Sequence, residues 1–234
     1  MRAKKSSFAR HEWQYKRYGF KAQRRYPNES LIQFLAAHFF RLSSARRRRT
    51  KILEIGCGSG ANLWMLAREG FDVYGIDAAP SAVRLCRTML AKWRVGAHVT
   101  RADMRTQTFP DLSFDAVVDV ISVQHTTLEE HKEIYRAVYA MLKKGGWFFS
   151  CHLGNHSSSF RAANSKMLDR YTVEKVNNAR VPLHGNGPIC FIPEALQKTL
   201  LKEAGFVHIA IEKMTRTYKT KQKIEYILVE AQKP

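Results

Sequence analysis

The residues of this 234-residue chain best placed to do chemistry stand at the ends of apolar runs. Ile52-Leu53-Glu54-Ile55 leads into Gly56, Gly58 and Gly60, three glycines at alternate positions, and a helical pattern follows. Glycines at such a turn let the backbone approach a bound ligand where any Cβ would collide. The amides that open the following helix face the same ligand. Two carboxylates stand in related places. Asp77 closes the run Val73-Tyr74-Gly75-Ile76, and Asp103 follows the run that ends at Thr100. A carboxylate at the C-terminal edge of a strand, next to a glycine turn, can accept hydrogen bonds from both hydroxyls of a ribose. His125 and His152 follow later apolar runs, and an imidazole can take a proton near neutral pH. The glycine turn predicts a cofactor site, and the cofactor decides the function.

Strands must carry these residues. The pattern predicts strands at Lys51–Ile55, Asp72–Asp77, Ala97–Thr100, Phe114–Val120 and Gly146–Ser150. Helices are expected at Ser30–Leu42, Ala61–Arg68, Pro80–Trp93 and Leu128–Leu142, the first preceded by the start signal Pro27-Asn28-Glu29. Strands that are apolar almost throughout, alternating with helices, make a parallel sheet covered on both faces. After residue 150 the pattern changes. Residues 152–190 are rich in Ser, Asn, Gly and His, with a helix expected around Ala162 to Tyr171. Pro193–Ala204 reads as a helix stopped by Gly205, and Val207–Glu212 with Ile224–Glu230 as an antiparallel pair.

Composition sets outer limits. The chain is long enough to bury one full core. Its start, Met1-Arg2-Ala3-Lys4-Lys5-Ser6-Ser7, lacks the apolar stretch of a secretory leader, and the run Leu31–Phe40 is too short to span a bilayer. Cys57, Cys86, Cys151 and Cys190 form no CxxC pair, which argues against a disulfide framework or a zinc site and for a reducing cytoplasm. No His/Asp/Glu cluster has metal-ligand spacing, so no catalytic metal is expected. The net charge of +19 is uneven: residues 1–51 hold 15 Lys or Arg against 2 Asp or Glu, a balance of +13, densest at Arg46-Arg47-Arg48-Arg49. Such a segment suits nucleic acid, an anionic membrane surface or a phosphorylated substrate, and equally a solvated face.

Spacing narrows the cofactor. Gly60-Ala61-Asn62 lacks the Lys-Ser/Thr of a phosphate-binding P-loop, and Gly56-x-Gly58-x-Gly60 is not the G-x-G-x-x-G of a dinucleotide site. The set Glu54-x-Gly56-x-Gly58-x-Gly60 resembles the first motif of class I S-adenosylmethionine-dependent methyltransferases. Asp77, Ala102-Asp103-Met104, Phe114-Asp115-Ala116-Val117-Val118 and Leu142-Lys143-Lys144-Gly145-Gly146-Trp147 are similar to its later motifs at matching distances. The opening, with Trp13, Tyr15, Tyr18 and Tyr26-Pro27-Asn28-Glu29, resembles small-molecule and sugar-modifying members.

The resemblance implies a Rossmann-like α/β fold: a seven-stranded, mostly parallel sheet with an antiparallel last strand. It implies a basic helical lid over residues 1–49 and a methyltransferase domain over 50–234, with a substrate cap at about 152–190. Glu54 is then expected at the ammonium of the cofactor's methionine moiety, Gly56, Cys57 and Gly58 at the turn, and Asp77 with Ala78 at the ribose. Asp103 would meet the adenine amine, Met104 the ring, and Val120 and Ile121 the sulfonium end. Tyr15 and Tyr18 would reach the site from the lid, where aromatic rings suit a cation. Methyl transfer from a sulfonium is an in-line displacement with an activated donor. The protein must position a nucleophile and, for a hydroxyl, take its proton, with His125 as the leading base and His152 as the second. The implied activity is methylation of an O or N atom of a small-molecule or carbohydrate-like acceptor by a monomer or homodimer. Two alternatives remain at this stage, an RNA methyltransferase using the basic segment and a non-catalytic cofactor-binding partner subunit. The RNA reading is the less favoured, because Ser122-Val123-Gln124-His125 stands where nitrogen-base methylases carry an Asn/Asp-Pro-Pro-Tyr-type loop.

Overall fold

A computed structural model describes residues 7–109, 113–160, 162, 165–219 and 221–234. Three helices open the chain: α1 (Ser7–Tyr18), α2 (Glu29–His38) and the single turn α3 (Ser44–Arg47). Then follow β1 (Lys51–Ile55), α4 (Leu63–Arg68), β2 (Asp72–Asp77), α5 (Pro80–Trp93), β3 (His98–Arg101), β4 (Phe114–Val120), α6 (Leu128–Met141) and β5 (Leu142–Leu153). The short pair β6 (Thr172–Val173) and β7 (Ile189–Cys190) precedes α7 (Glu194–Glu203), β8 (Val207–Tyr218) and β9 (Gln222–Gln232).

Seven strands form one sheet in the order β3-β2-β1-β4-β5-β9-β8. The first five are mutually parallel, and β9 runs antiparallel to both β5 and β8. Because β1 lies between β2 and β4, successive crossovers leave it in opposite directions. A crevice opens at the C-terminal ends of these two strands, where open α/β sheets bind ligands.

Alternate side chains of each strand enter different cores. Ile52, Val73, Val118 and Phe149 pack with Leu31, Phe34, Leu63 and Met89 from α2, α4 and α5. Leu53, Ile76, Val117 and Phe148 pack with Ile134, Val138, Leu200 and Leu201 from α6 and α7. Burial of apolar surface at ~25 cal/mol per Å² on both faces is the main stabilising term. Local signals fix the helix starts. Asn28 Oδ1 accepts from Leu31 N at 3.1 Å, and Thr127 and Glu130 make a reciprocal capping box on α6.

Three expectations change in detail. From the described part of residues 1–49, α1 and the segment with Gln23 and Arg24 reach the crevice. α2 belongs to the core layer, with Phe34 stacked on Phe149 at 5.0 Å. The helix expected around Ala162 to Tyr171 is replaced, among the described residues there, by bends and a bridge from Met167 to Val173. Strands β5, β8 and β9 run longer than the pattern indicated, because β9 pairs along the whole of β8 and covers residues 147–153 of β5. Among the described residues no helix is long and apolar enough to cross a membrane.

Candidate functional site

The crevice is a cavity of about 710 Å³. Its floor is the turn after β1. Gly56 and Gly58 both lie in the left-handed region, at φ 69° and 53°. A Cβ on Gly56 would stand 2.4 Å from Ser122 Cβ, and one on Gly58 3.0 Å from the Tyr15 hydroxyl. No other residue type fits this backbone without displacing its neighbours. Cys57 N donates to Ile76 O at 2.9 Å, tying the turn to β2.

Glu54 enters from β1 and is buried. Its Oε1 accepts from Asn62 Nδ2 at 2.5 Å, while Oε2 is buried with no hydrogen-bond partner. Burial pushes its carboxyl up to about 8, and the Asn62 bond only partly opposes this. Natural proteins pair buried polar atoms, so an orphaned carboxylate oxygen in a cavity wall calls for a donor supplied by a ligand.

Asp77 closes β2. Its Oδ2 accepts from Gly58 N at 3.0 Å and its Oδ1 from Ala79 N at 2.8 Å. Burial raises its pKa, and the two amides counteract this. Each oxygen keeps a lone pair for a further donor. Asp103 also lines the cavity, but Arg105 engages both its oxygens and carries on to Glu130 Oε1 at 2.6 Å. These bonds hold the Asp103 carboxyl below its usual range.

The turn after β4 forms the far wall. Asp119, fully buried, accepts from Ser122 N at 2.9 Å, Val123 N at 3.0 Å and Ser150 Oγ at 2.7 Å. Burial still moves it up to about 6. These bonds hold Ile121 at φ 64°, a conformation a β-branched residue rarely adopts and one that costs roughly 1–3 kcal/mol. Ser122 Oγ donates to Gly56 O at 2.8 Å, locking this turn to the glycine turn. The next residues form a short 3-10 helix that carries His125. The His125 Nδ1 lies 3.1 Å from the Pro188 carbonyl, which can only accept, so Nδ1 carries the proton and Nε2 the lone pair. Burial lowers the pKa of His125, with the Arg10 charge acting in the same direction.

Most of the expected residues converge here. Tyr15, Glu54, Gly56, Cys57, Gly58, Asp77, Ala78, Asp103, Met104, Val120, Ile121 and His125 all line the cavity. Tyr18 does not: it packs edge-on against Trp13 and is 45% exposed. His152 does not either. It is fully buried inside β5, its Nδ1 3.4 Å from Leu153 O and its Nε2 without a partner. Burial drives it down to about 3.

Sequence reasoning missed His11, Gln14 and Arg24 from the N-terminal segment, Asn62 from the glycine turn, and Leu183, Asn186 and Ile189 from the cap. Two signals were available. His11 and Tyr15 are four residues apart and so share a helix face. Asp119 is a carboxylate inside an apolar strand, which requires partners.

The basic run lies elsewhere. Arg46 and Arg49, with Lys143 and Lys144, line a second cavity of about 590 Å³ at the N-terminal ends of β1 and β5.

Residues 52–146 match a family model described as a methyltransferase domain. A ubiquinone biosynthesis O-methyltransferase of Xanthomonas axonopodis pv. citri is 34% identical over 119 residues, 48% of this chain and 47% of that protein. The chain thus spans about half the length of the curated relatives it matches. An S-adenosylmethionine-dependent methyltransferase of Methanosarcina mazei has a similar structure, with a TM-score of 0.63 at 23% identity over 78% of this chain and 92% of that one. The magnesium protoporphyrin IX methyltransferase of Synechocystis also has a TM-score of 0.63, at 15% identity, covering 88% and 81%. The matched domain spans the glycine turn, β2 and the turn after β4; over these residues the chain is similar to methyltransferase domains, and it shares the fold of S-adenosylmethionine-dependent methyltransferases of known structure.

Proposed function

We propose that the protein transfers a methyl group from S-adenosylmethionine to an oxygen or nitrogen atom of a small-molecule or carbohydrate-like acceptor. The observation that carries this reading is the unpartnered Oε2 of Glu54, buried beside a glycine turn whose Asp77 has lone pairs to spare. A ligand with an ammonium group and a ribose supplies the donors that both carboxylates lack.

When bound, the cofactor supplies a methyl group on an already activated sulfonium. Glu54 holds the ammonium and Asp77 the ribose hydroxyls. Gly56, Cys57, Gly58 and Ala78 leave the space their small size creates. Arg24, which lines the cavity and whose charge bears on Glu54, would hold the carboxylate of the amino-acid tail. Met104 would cover the adenine, and Asp103, whose oxygens already accept from Arg105, would share them with the exocyclic amine. Val120 and Ile121 form an apolar wall by the sulfonium, and Tyr15 closes the turn from above. His125, uncharged and with its Nε2 lone pair free to accept, takes the proton of the acceptor.

We place the protein in the reducing cytoplasm, consistent with four free, buried cysteines. The RNA reading loses support from geometry, because the arginine run stands at the opposite end of the sheet from the cavity. Calorimetry with S-adenosylhomocysteine tests the cofactor assignment: the wild type binds and Asp77→Ala loses most of the affinity. Failure of the wild type to bind refutes the reading. Conversion of S-adenosylmethionine by the purified protein with an acceptor excludes a purely non-catalytic role.

A further inference from the structure

The cavity has a second end, away from the glycine turn, built where α1, the turn after β4 and the cap meet. We propose that His11, carried by α1, and His125 work as an imidazole pair on a hydroxyl-bearing acceptor, His125 as the base and His11 as the residue that positions it. The proposal rests on the methyl-transfer reading and deepens it by naming the acceptor class.

The two rings meet edge to face, with centroids 4.4 Å apart and planes at 66°. With the Pro188 carbonyl on Nδ1, this contact fixes the imidazole from two sides and leaves Nε2 as the acceptor atom. Gln124 Nε2 is 3.4 Å from that atom, a long and weak contact that an acceptor hydroxyl can replace. His11 Nε2 and Gln124 Oε1 are themselves buried without a partner, two further unmet polar atoms of residues that line the same cavity. The helix that brings His11 is latched at two points. Glu12 accepts from Ser81 N at 2.9 Å and Ser81 Oγ at 2.7 Å at the start of α5, and Arg10 Nη2 is 3.4 Å from Asn186 Oδ1 on the cap.

The electrostatics select the acceptor. The charged or titratable groups that bear on the pair are the rings themselves and Arg10. From the turn after β4 and from the cap the pair meets the uncharged Gln124 and Asn186. The carboxylates that line the cavity, Glu54, Asp77 and Asp103, all belong to β1, β2 and the segment after β3. A cationic amine therefore finds no counter-charge here. The positive charge of Arg10, which bears on both rings from behind the cavity lining, instead favours an oxygen that gains negative charge. Burial first, then His125 and Arg10, lower His11 to about 3, and burial with Arg10 lowers His125, so both rings are neutral at physiological pH. In the step, the hydroxyl proton passes to His125 Nε2 as oxygen bonds the methyl carbon, and the electron pair of the breaking carbon–sulfur bond stays on sulfur.

The test follows the imidazole resonances by NMR through a pH titration of protein saturated with S-adenosylhomocysteine. In the wild type both rings titrate below the ordinary histidine value, His11 the further of the two. Arg10→Met raises both midpoints, and His125→Gln raises that of His11. Rings that titrate at the ordinary value and ignore both substitutions overturn the proposal. His11→Gln lowers kcat roughly tenfold or more with S-adenosylhomocysteine affinity within about twofold of wild type. Arg10→Met shifts the acid limb of the kcat profile to higher pH. If His11→Gln loosens α1, Arg10→Met still reads the coupling with both rings in place. A product methylated on nitrogen refutes the acceptor class. Absence of S-adenosylhomocysteine binding to the wild type instead removes the underlying reading.

Discussion

Glu54→Gln separates the carboxylate's charge from its shape. In the protein alone, burial holds the Glu54 carboxyl up to about 8. At about pH 7 such a group is ionised in roughly a tenth of molecules. An ammonium ligand requires the ionised form, so binding must first expel a proton. Each pH unit below 8 then weakens affinity by up to about tenfold, ~1.4 kcal/mol, for as long as the carboxylate stays ionised in the complex. The ligand's own ammonium keeps its charge across this range, so the slope belongs to the protein. Calorimetry of S-adenosylhomocysteine binding in buffers of different ionisation enthalpy counts the protons directly. The expected release is about 0.9 proton per ligand near pH 7, fading above pH 8. Affinity should rise roughly twentyfold to thirtyfold between about pH 6 and about pH 7.5. Glu54→Gln keeps an oxygen to accept from Asn62 Nδ2 but has no proton to release. Its affinity should be lower near pH 7.5 and flat with pH. If the wild type releases no proton near pH 7, or Glu54→Gln keeps the slope, Glu54 does not hold the ammonium.

Asp77→Ala leaves the amides of Gly58 and Ala79 unpaired and removes the proposed ribose partner, so S-adenosylhomocysteine should bind more weakly by roughly 1–3 kcal/mol in calorimetry. Asp119→Ala frees the amides of Ser122 and Val123 that hold Ile121 at positive φ, and chemical denaturation should show a loss of about 2–4 kcal/mol. His131 and His152 are both fully buried and burial lowers them to about 4 and about 3. Unfolded, they bind protons from their ordinary value of 6.5 downward. Their contribution is therefore complete above that value and is lost as pH falls towards 4, by up to ~1.4 kcal/mol per pH unit for each ring. Thermal midpoints should drop on acidification, and His152→Leu should flatten the decline; an unchanged slope would show that this ring does not set it.

The local sequence determined the cofactor end of the cavity. An apolar strand, a glycine turn and a helix start make their own geometry from backbone sterics. Asp77 reaches that turn because β1 and β2 pair in parallel with Ile55 beside Ile76. Residues near the ends of adjacent parallel strands meet in space whatever surrounds them, so Glu54, Asp77, Asp103 and Ile121 were legible one strand at a time. The acceptor end was decided by tertiary packing. His125 and His152 both follow apolar runs, yet β5 continues through His152 because β9 pairs with it as far as Leu153. That pairing buries the ring within the protein. By contrast, β4 stops where the Asp119 side chain caps the amides of Ser122 and Val123, and the chain turns His125 into the cavity. His11, Leu183, Asn186 and Ile189 come from segments far apart in sequence, and those of the cap have no periodicity. Only the docking of α1 on α5 and of the cap on the turn after β4 brings them to one place. A strand edge is specified by neighbours in sequence, whereas a wall made from a helix, a turn and an irregular segment exists only once all three have packed.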